Sequence, residues 1–218
     1  MKDLKFIAKQ LRKPAGDFAA TIAGKMNEGN KPLYDLTFSS MNLSDGDTVL
    51  EIGFGNGFHF TEFLSLKNNL TLYGIDYSKE MVDQATTANR ELIKSGQIFL
   101  AEGSSNRLPY EDQTFDKVFC NMVIYFWKDP REHLKEIYRV LKLDGKFYTG
   151  MRTKKSMQEL PFTQYGFNLY SVDEWEAIVK SHGFTIGKTA QKTDPGFQEN
   201  GKQINLKSVS VEAEKANV

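Results

Sequence analysis

From Thr48 onward, short apolar runs alternate with stretches whose apolar residues recur every third or fourth position. The first kind reads as buried strands: Thr48 to Gly53, Leu70 to Ile75, Gln97 to Ala101, Phe115 to Met122 and Lys146 to Met151. The second kind reads as helices. One carries Phe60, Phe63 and Leu64. A second, capped by Ser78, carries Met81, Val82 and Ala85 and runs to about Lys94. A third starts at Pro130, carries Leu134, Ile137 and Leu141, and ends at Asp144-Gly145. This alternation predicts βαβ units and a parallel sheet covered on both faces. The tail predicts one more helix, Val172 to Ser181, with Trp175 and Ile178 facing inward. Two alternating strands follow, Phe184 to Thr189 and Gln203 to Val211, separated by Asp194-Pro195-Gly196, as an antiparallel pair at the sheet edge.

The first 42 residues lack this rhythm and read as helical. Leu4, Ile7, Ala8 and Leu11 share one helix face, and Pro14 and Gly16 break that helix. Asp17 caps a second helix carrying Phe18, Ile22 and Met26, which the Gly29-Asn30-Lys31-Pro32 cluster ends. A third spans Leu33 to Met41, and Ser44-Asp45-Gly46-Asp47 is a turn. The expected organisation is a helical cap or lid over residues 1–44 and an α/β domain over residues 45–218.

Composition narrows the function. The chain has 218 residues, 28 Lys+Arg and 28 Asp+Glu, so its formal net charge is zero. A nucleic-acid binder needs a basic excess to displace counterions, and none is present. The single Cys120 excludes an internal disulfide and a thiolate-rich metal site, consistent with a cytoplasmic setting. No metal site is expected, since His59, His133 and His182 share no motif. No apolar run reaches the roughly 18 residues of a membrane span, and Met1 to Ala8 is broken by charges, unlike a signal peptide.

The strongest chemical signal is Val49-Leu50-Glu51-Ile52-Gly53-Phe54-Gly55-Asn56-Gly57. A buried strand delivers three alternating glycines and a helix follows. Such a loop lets the backbone approach a ligand, and the helix start offers N–H groups to an anion. Asp76 closes the second strand about twenty residues on, where a carboxylate accepts from both hydroxyls of a ribose. A dinucleotide fingerprint needs Gly or Ala where this chain has Phe58, so the pyrophosphate cradle is imperfect.

These residues resemble the class I S-adenosylmethionine-dependent methyltransferases, near the small-molecule enzymes of ubiquinone and menaquinone biosynthesis. The resemblance continues through Gly74-Ile75-Asp76-Tyr77-Ser78, Gly103 to Tyr110, Phe115-Asp116-Lys117-Val118 and Arg139-Val140-Leu141-Lys142. It covers about Asp47 to Met151 strongly and the tail loosely. It implies a Rossmann-like, seven-stranded, mostly parallel sheet with one antiparallel edge strand, helices on both faces and S-adenosylmethionine as cofactor. By position, Gly53, Phe54, Gly55 and Gly57 cradle its methionine part and Glu51 meets the ammonium. Asp76 holds the ribose and Tyr77 lies beside the adenine. Gly103, Ser104 and Ser105 run along the adenine edge, with Ser104 where the family commonly has Asp. Asn121 faces the methionine end, a place that equally suits a purely structural polar residue.

Methyl transfer from a sulfonium needs alignment and water exclusion more than a catalytic triad. The expected partner is a small-molecule acceptor, with no nucleic acid and no integral membrane association. Aromatic residues follow the fourth strand (Tyr125, Phe126, Trp127) and the fifth (Phe162, Tyr165, Phe167, Tyr170), suiting a flat apolar or cationic acceptor. Tyr125 is the candidate to polarise the acceptor, Arg152 to pair with a carboxylate on it, and His59 to reach it from beside the glycine loop. The rival readings are a non-enzymatic S-adenosylmethionine-binding module and a nicotinamide-dependent oxidoreductase.

Overall fold

The structure, a computed structural model, describes residues 3–199 and 201–216. The expected cap is therefore seen from Asp3 and the expected second unit to Ala216; Met1, Lys2, Asn200, Asn217 and Val218 lie outside the described residues. In chain order the elements are α1 (Leu4–Arg12), α2 (Ala19–Ser40), β1 (Thr48–Ile52), α3 (Phe60–Leu64), β2 (Thr71–Asp76), α4 (Lys79–Ala88), α5 (Arg90–Lys94) and β3 (Ile98–Glu102). There follow β4 (Phe115–Asn121), α6 (Pro130–Val140), β5 (Leu141–Arg152), α7 (Lys154–Gln158), α8 (Val172–Lys180), β6 (Phe184–Thr193), β7 (Phe197–Glu199), β8 (Lys202–Ile204) and β9 (Lys207–Lys215).

Seven strands form one sheet in the order β3-β2-β1-β4-β5-β9-β6. β1 to β5 are mutually parallel, and β9 runs antiparallel to both of its neighbours, β5 and β6. The antiparallel strand thus lies one place in from the edge, and β6 forms the rim. Inserted between β6 and β9, β7 and β8 make a small separate hairpin. Strand order reverses between β1 and β4, which opens a crevice beyond their carboxyl ends.

The two faces of the sheet bury different helices, and strand alternation sorts the residues between them. Leu50, Ile52, Val118, Cys120, Phe147 and Met151 pack with Leu134 and Ile137 of α6 and Trp175 of α8. Val49, Leu72, Phe119 and Tyr148 pack on the opposite side with Tyr34 and Phe38 of α2 and Phe60 and Phe63 of α3. Cys120 is wholly buried in the first of these cores, which raises its thiol pKa and leaves it a packing residue.

Two sequence expectations are corrected here. Gly29-Asn30-Lys31-Pro32 does not end a helix: α2 is continuous for 22 residues with Pro32 inside it. An internal proline costs about 3 kcal/mol, whereas each large apolar side chain fully buried returns about 1.5–3 kcal/mol. Leu33, Tyr34 and Phe38 are all buried, so packing outweighs the penalty. The exposed Gly29 carbonyl, one turn before the proline, accepts from Arg152 Nη2 at 2.5 Å. From Tyr34 onward α2 contributes to the core that covers one face of the sheet. Secondly, α6 ends at Val140 rather than at Asp144-Gly145. Leu141 is wholly buried and already pairs with Phe115, so the chain enters β5 early and then bulges through Leu143 and Asp144.

Arg152 also meets Asp194 Oδ2, at 3.2 Å from Nε and 3.1 Å from Nη2, with both side chains almost fully buried. It ties the end of β5 to α2 and to the turn before β7. Removing one partner of such a pair strands the other charge in the interior. Arg152→Met should lower unfolding free energy by about 3–5 kcal/mol in chemical denaturation, and adding Asp194→Leu should recover much of it.

Candidate functional site

A cavity of about 280 Å³ opens at the β1/β4 crevice. Its floor is the loop after β1. Gly53, Gly55 and Gly57 take φ of 74°, 59° and 68°, the left-handed region that glycine enters at little cost. Gly55 has no neighbour within 4 Å of where a Cβ would lie, so its backbone faces open space in the cavity. The loop continues two residues beyond Gly57 before α3 begins, and α3 has only five residues. The expected helix-end anion site is therefore absent, and backbone shape alone makes the cradle.

Asp76 joins the loops around this floor. Its carboxylate accepts from Gly55 N at 2.9 Å and from Ser78 N at 2.8 Å. Its own carbonyl accepts from Gly103 N at 2.9 Å. A carboxylate has about four acceptor positions, so the group can take a ligand hydroxyl in addition. Burial pushes its pKa up to about 6, against the pull of those two N–H groups. Glu51, one strand over, lies behind the cavity wall rather than in it. It is buried, burial pushes its pKa up to about 8, and its Oε1 accepts from Tyr34 of α2 at 2.8 Å.

Of the residues expected to hold a cofactor, Gly53, Phe54, Gly55, Asp76, Tyr77, Gly103, Ser104, Ser105 and Asn121 all line the cavity. Glu51 and Gly57 do not. At the far end, Ser105 Oγ lies 2.7 Å from His133 Nδ1, and the His133 ring stacks on Trp127 at 4.5 Å. Burial pushes His133 down to about 4, so the imidazole facing the cavity is neutral.

The three acceptor-side candidates are all elsewhere. Tyr125 is wholly buried, and its hydroxyl donates to Arg152 O at 2.9 Å while accepting from Arg152 N at 2.6 Å. Arg152 is consumed by Asp194 and Gly29. His59 stacks on Tyr34 with ring centroids 3.9 Å apart, behind the wall, with its Nδ1 3.5 Å from Glu62 Oε2. Each was placed by proximity along the chain, whereas side-chain direction decided. The insert aromatics correct in the same way. Phe162 packs on Phe167, which packs on Phe126, and Tyr170 packs on Trp175, so that of the aromatics after the fourth and fifth strands Phe126 and Trp127 are the ones that reach the cavity.

What sequence reasoning missed is the N-terminal wall. Met26, Asn27, Asn30 and Tyr34 of α2 line one side, and Leu11, Arg12 and Pro14 close the mouth. This strap is fastened beside the glycine floor: the Tyr77 hydroxyl donates to Arg12 O, and Ser78 Oγ donates to Pro14 O at 2.8 Å. The residues from α2 fall at helical spacing, a signal that was present but was read as two separate helices. Among the described residues no group of three His, Cys, Asp or Glu is placed to hold a metal ion, and no helix is long and apolar enough to cross a membrane.

Comparison with known proteins follows this geometry. Residues 50–149 match a family model described as a methyltransferase domain. YrhH of Bacillus subtilis, named as a methyltransferase, is 35% identical over 134 residues, 62% of this chain and 73% of that one. The demethylmenaquinone methyltransferase of Lactobacillus johnsonii is 34% identical over 111 residues, 50% of this chain and 45% of that enzyme. A chain from the complex between the Haloferax volcanii Trm112 methyltransferase activator and a methyltransferase superposes with a TM-score of 0.78 at 20% identity, covering 92% of this chain and 96% of that chain. The chain belongs to the class I S-adenosylmethionine-dependent methyltransferases.

Proposed function

We propose that the chain methylates a small-molecule acceptor held beneath α2 and the strap, with Asp76 on the cofactor ribose, Tyr77 and Ser104-Ser105 at the adenine, and Gly53 to Gly55 with Asn121 at the methionine end. The observation that carries this reading is the closure of the cavity by the chain's own N-terminal residues, which leaves room for a compact acceptor. The fit to the cofactor rests on the open space over Gly55, the spare lone pairs of Asp76 and the buried, unpartnered Asn121 Nδ2. Similarity to an enzyme named for demethylmenaquinone is in keeping with a small organic acceptor.

The cofactor supplies an activated methyl group on a sulfonium. The work left to the protein is to orient the acceptor and to exclude water. Asn27 and Asn30 offer carboxamides, while Met26 and Phe126 offer apolar surface, a lining suited to a neutral or weakly polar acceptor. Asp76 is the one carboxylate among the described lining residues and is assigned here to the ribose, so an acceptor that must lose a proton would lose it to solvent. Screening an acceptor library with labelled cofactor tests the reading. Transfer to small molecules, and none to protein or nucleic acid, is expected; transfer to a macromolecule alone would overturn it.

Three outcomes follow from the site. Asp76→Ala should stay folded and lose about 10- to 100-fold in S-adenosylhomocysteine affinity by calorimetry, the cost of a charge-assisted hydrogen bond. The cofactor-free protein should also lose stability with rising pH. The folded state raises the Glu51 and Asp76 pKa values, so it binds more protons than the unfolded chain until about pH 8. The contribution is complete below the ordinary carboxyl range and gone above about pH 8. Melting temperatures between pH 5 and 8 should fall accordingly, and Glu51→Gln should flatten the upper part of that slope. Finally, Ser78→Ala combined with Tyr77→Phe unfastens the strap. Stopped-flow measurement should show faster S-adenosylhomocysteine release.

A further inference from the structure

Alternation puts Glu51 of β1, Asn121 of β4 and Gly150 of β5 on the sheet face covered by α2, together with Phe119 and Tyr148. Asn121 and Gly150 are direct register partners. Thr37, three residues and nearly one turn after Tyr34 on α2, is wholly buried over this pair. Its hydroxyl donates to Asn121 Oδ1 at 2.8 Å. Gly150 makes this possible: a Cβ there would lie 1.7 Å from Asn121 Oδ1 and 2.7 Å from Thr37 Oγ1. Three elements therefore converge on one carboxamide oxygen. Asn121 is about 95% buried, lines the cavity, and its Nδ2 has no partner. The next residue, Met122, is held at a φ of 63° with its N–H on Gly150 O at 2.9 Å, so the strand end is fixed as well.

We propose that Thr37 is a positioning residue, which locks the Asn121 carboxamide so that its N–H₂ group is offered to the carboxylate at the methionine end of the cofactor. A carboxamide is nearly symmetric in shape, and only its hydrogen-bond partners decide which end faces a ligand. With the carbonyl oxygen engaged by a hydroxyl donor, the end left for the cavity is a donor, which attracts an anion and repels no part of it. Without the hydroxyl, the amide is free to turn and present its oxygen, an acceptor, to the same carboxylate. The selectivity of the cavity for an amino-acid tail is then set by a residue of α2 that does not itself line the cavity.

This inference rests on the cavity being the cofactor site, and the test separates the two. S-adenosylhomocysteine carries the amino-acid tail, and 5′-methylthioadenosine carries the same nucleoside without it. Thr37→Val should weaken the first by about 10- to 100-fold in calorimetry and leave the second unchanged. Thr37→Ser, which keeps the hydroxyl, should restore wild-type affinity for both. Asn121→Asp, a second route that leaves the helix untouched, should likewise penalise only the ligand with the tail, by placing a carboxylate opposite a carboxylate. Equal losses on both ligands, or none on either, would overturn the role given to Thr37. If the wild-type protein bound neither nucleoside, the cofactor reading itself would fall.

Discussion

Asp76 is the residue on which the rest of the site is hung. Three loops leave the carboxyl ends of β1, β2 and β3, and each is tied to it: the first through Gly55 N–H, the second through Ser78 N–H, the third through Gly103 N–H. Two of these bonds go to a buried carboxylate whose ionisation burial opposes. The arrangement is affordable because each N–H that steadies the charge also fixes a loop. Desolvation and preorganisation are here the same act: the group that costs free energy to bury is the one that leaves the loops no other geometry.

Much of this was legible from the chain alone, for reasons that can be named. Alternating apolar runs located the five parallel strands because such strands are buried on both sides and tolerate few polar residues. The glycine loop was legible because its φ values exclude most other residues, and Asp76 because a carboxylate at a buried strand end needs partners. Two of the motifs that carry the resemblance are joints. Arg139 binds Glu136, Asp112 and the carbonyls of Leu108 and Tyr110. Asp116 binds Lys142 and the Thr48 N–H. They mark the fold, and through it the site, without touching the cavity.

The illegible parts share a cause, which is contact between distant segments. Nothing local says that Pro32 is carried inside a helix, since the compensation comes from a sheet face assembled later in the chain and from Arg152. Nor does anything local name a partner for Arg152. Strand alternation places it with Tyr148 and Gly150 under α2, but its partner Asp194 is 42 residues further on. Tyr125 was misjudged likewise: its hydroxyl serves the Arg152 backbone across the crevice. Side chains next to a site in sequence were assumed to point at it, and strand parity sent them to the frame.

The bonds of α2 also set a schedule. Tyr34, Thr37 and the Gly29 carbonyl are synthesised first, yet their partners are Glu51, Asn121 and Arg152, the last of them more than a hundred residues downstream. At about 5–20 residues per second, a ribosome leaves this helix waiting on the order of ten seconds for the strands that bury it. During that interval Leu33, Phe38 and Met41, all wholly or nearly buried in the finished fold, have no sheet to lie on. Pro32 precedes all three, so a short helix over them can start on it, while the join to the turns before it is favoured only once the sheet and Arg152 are in place.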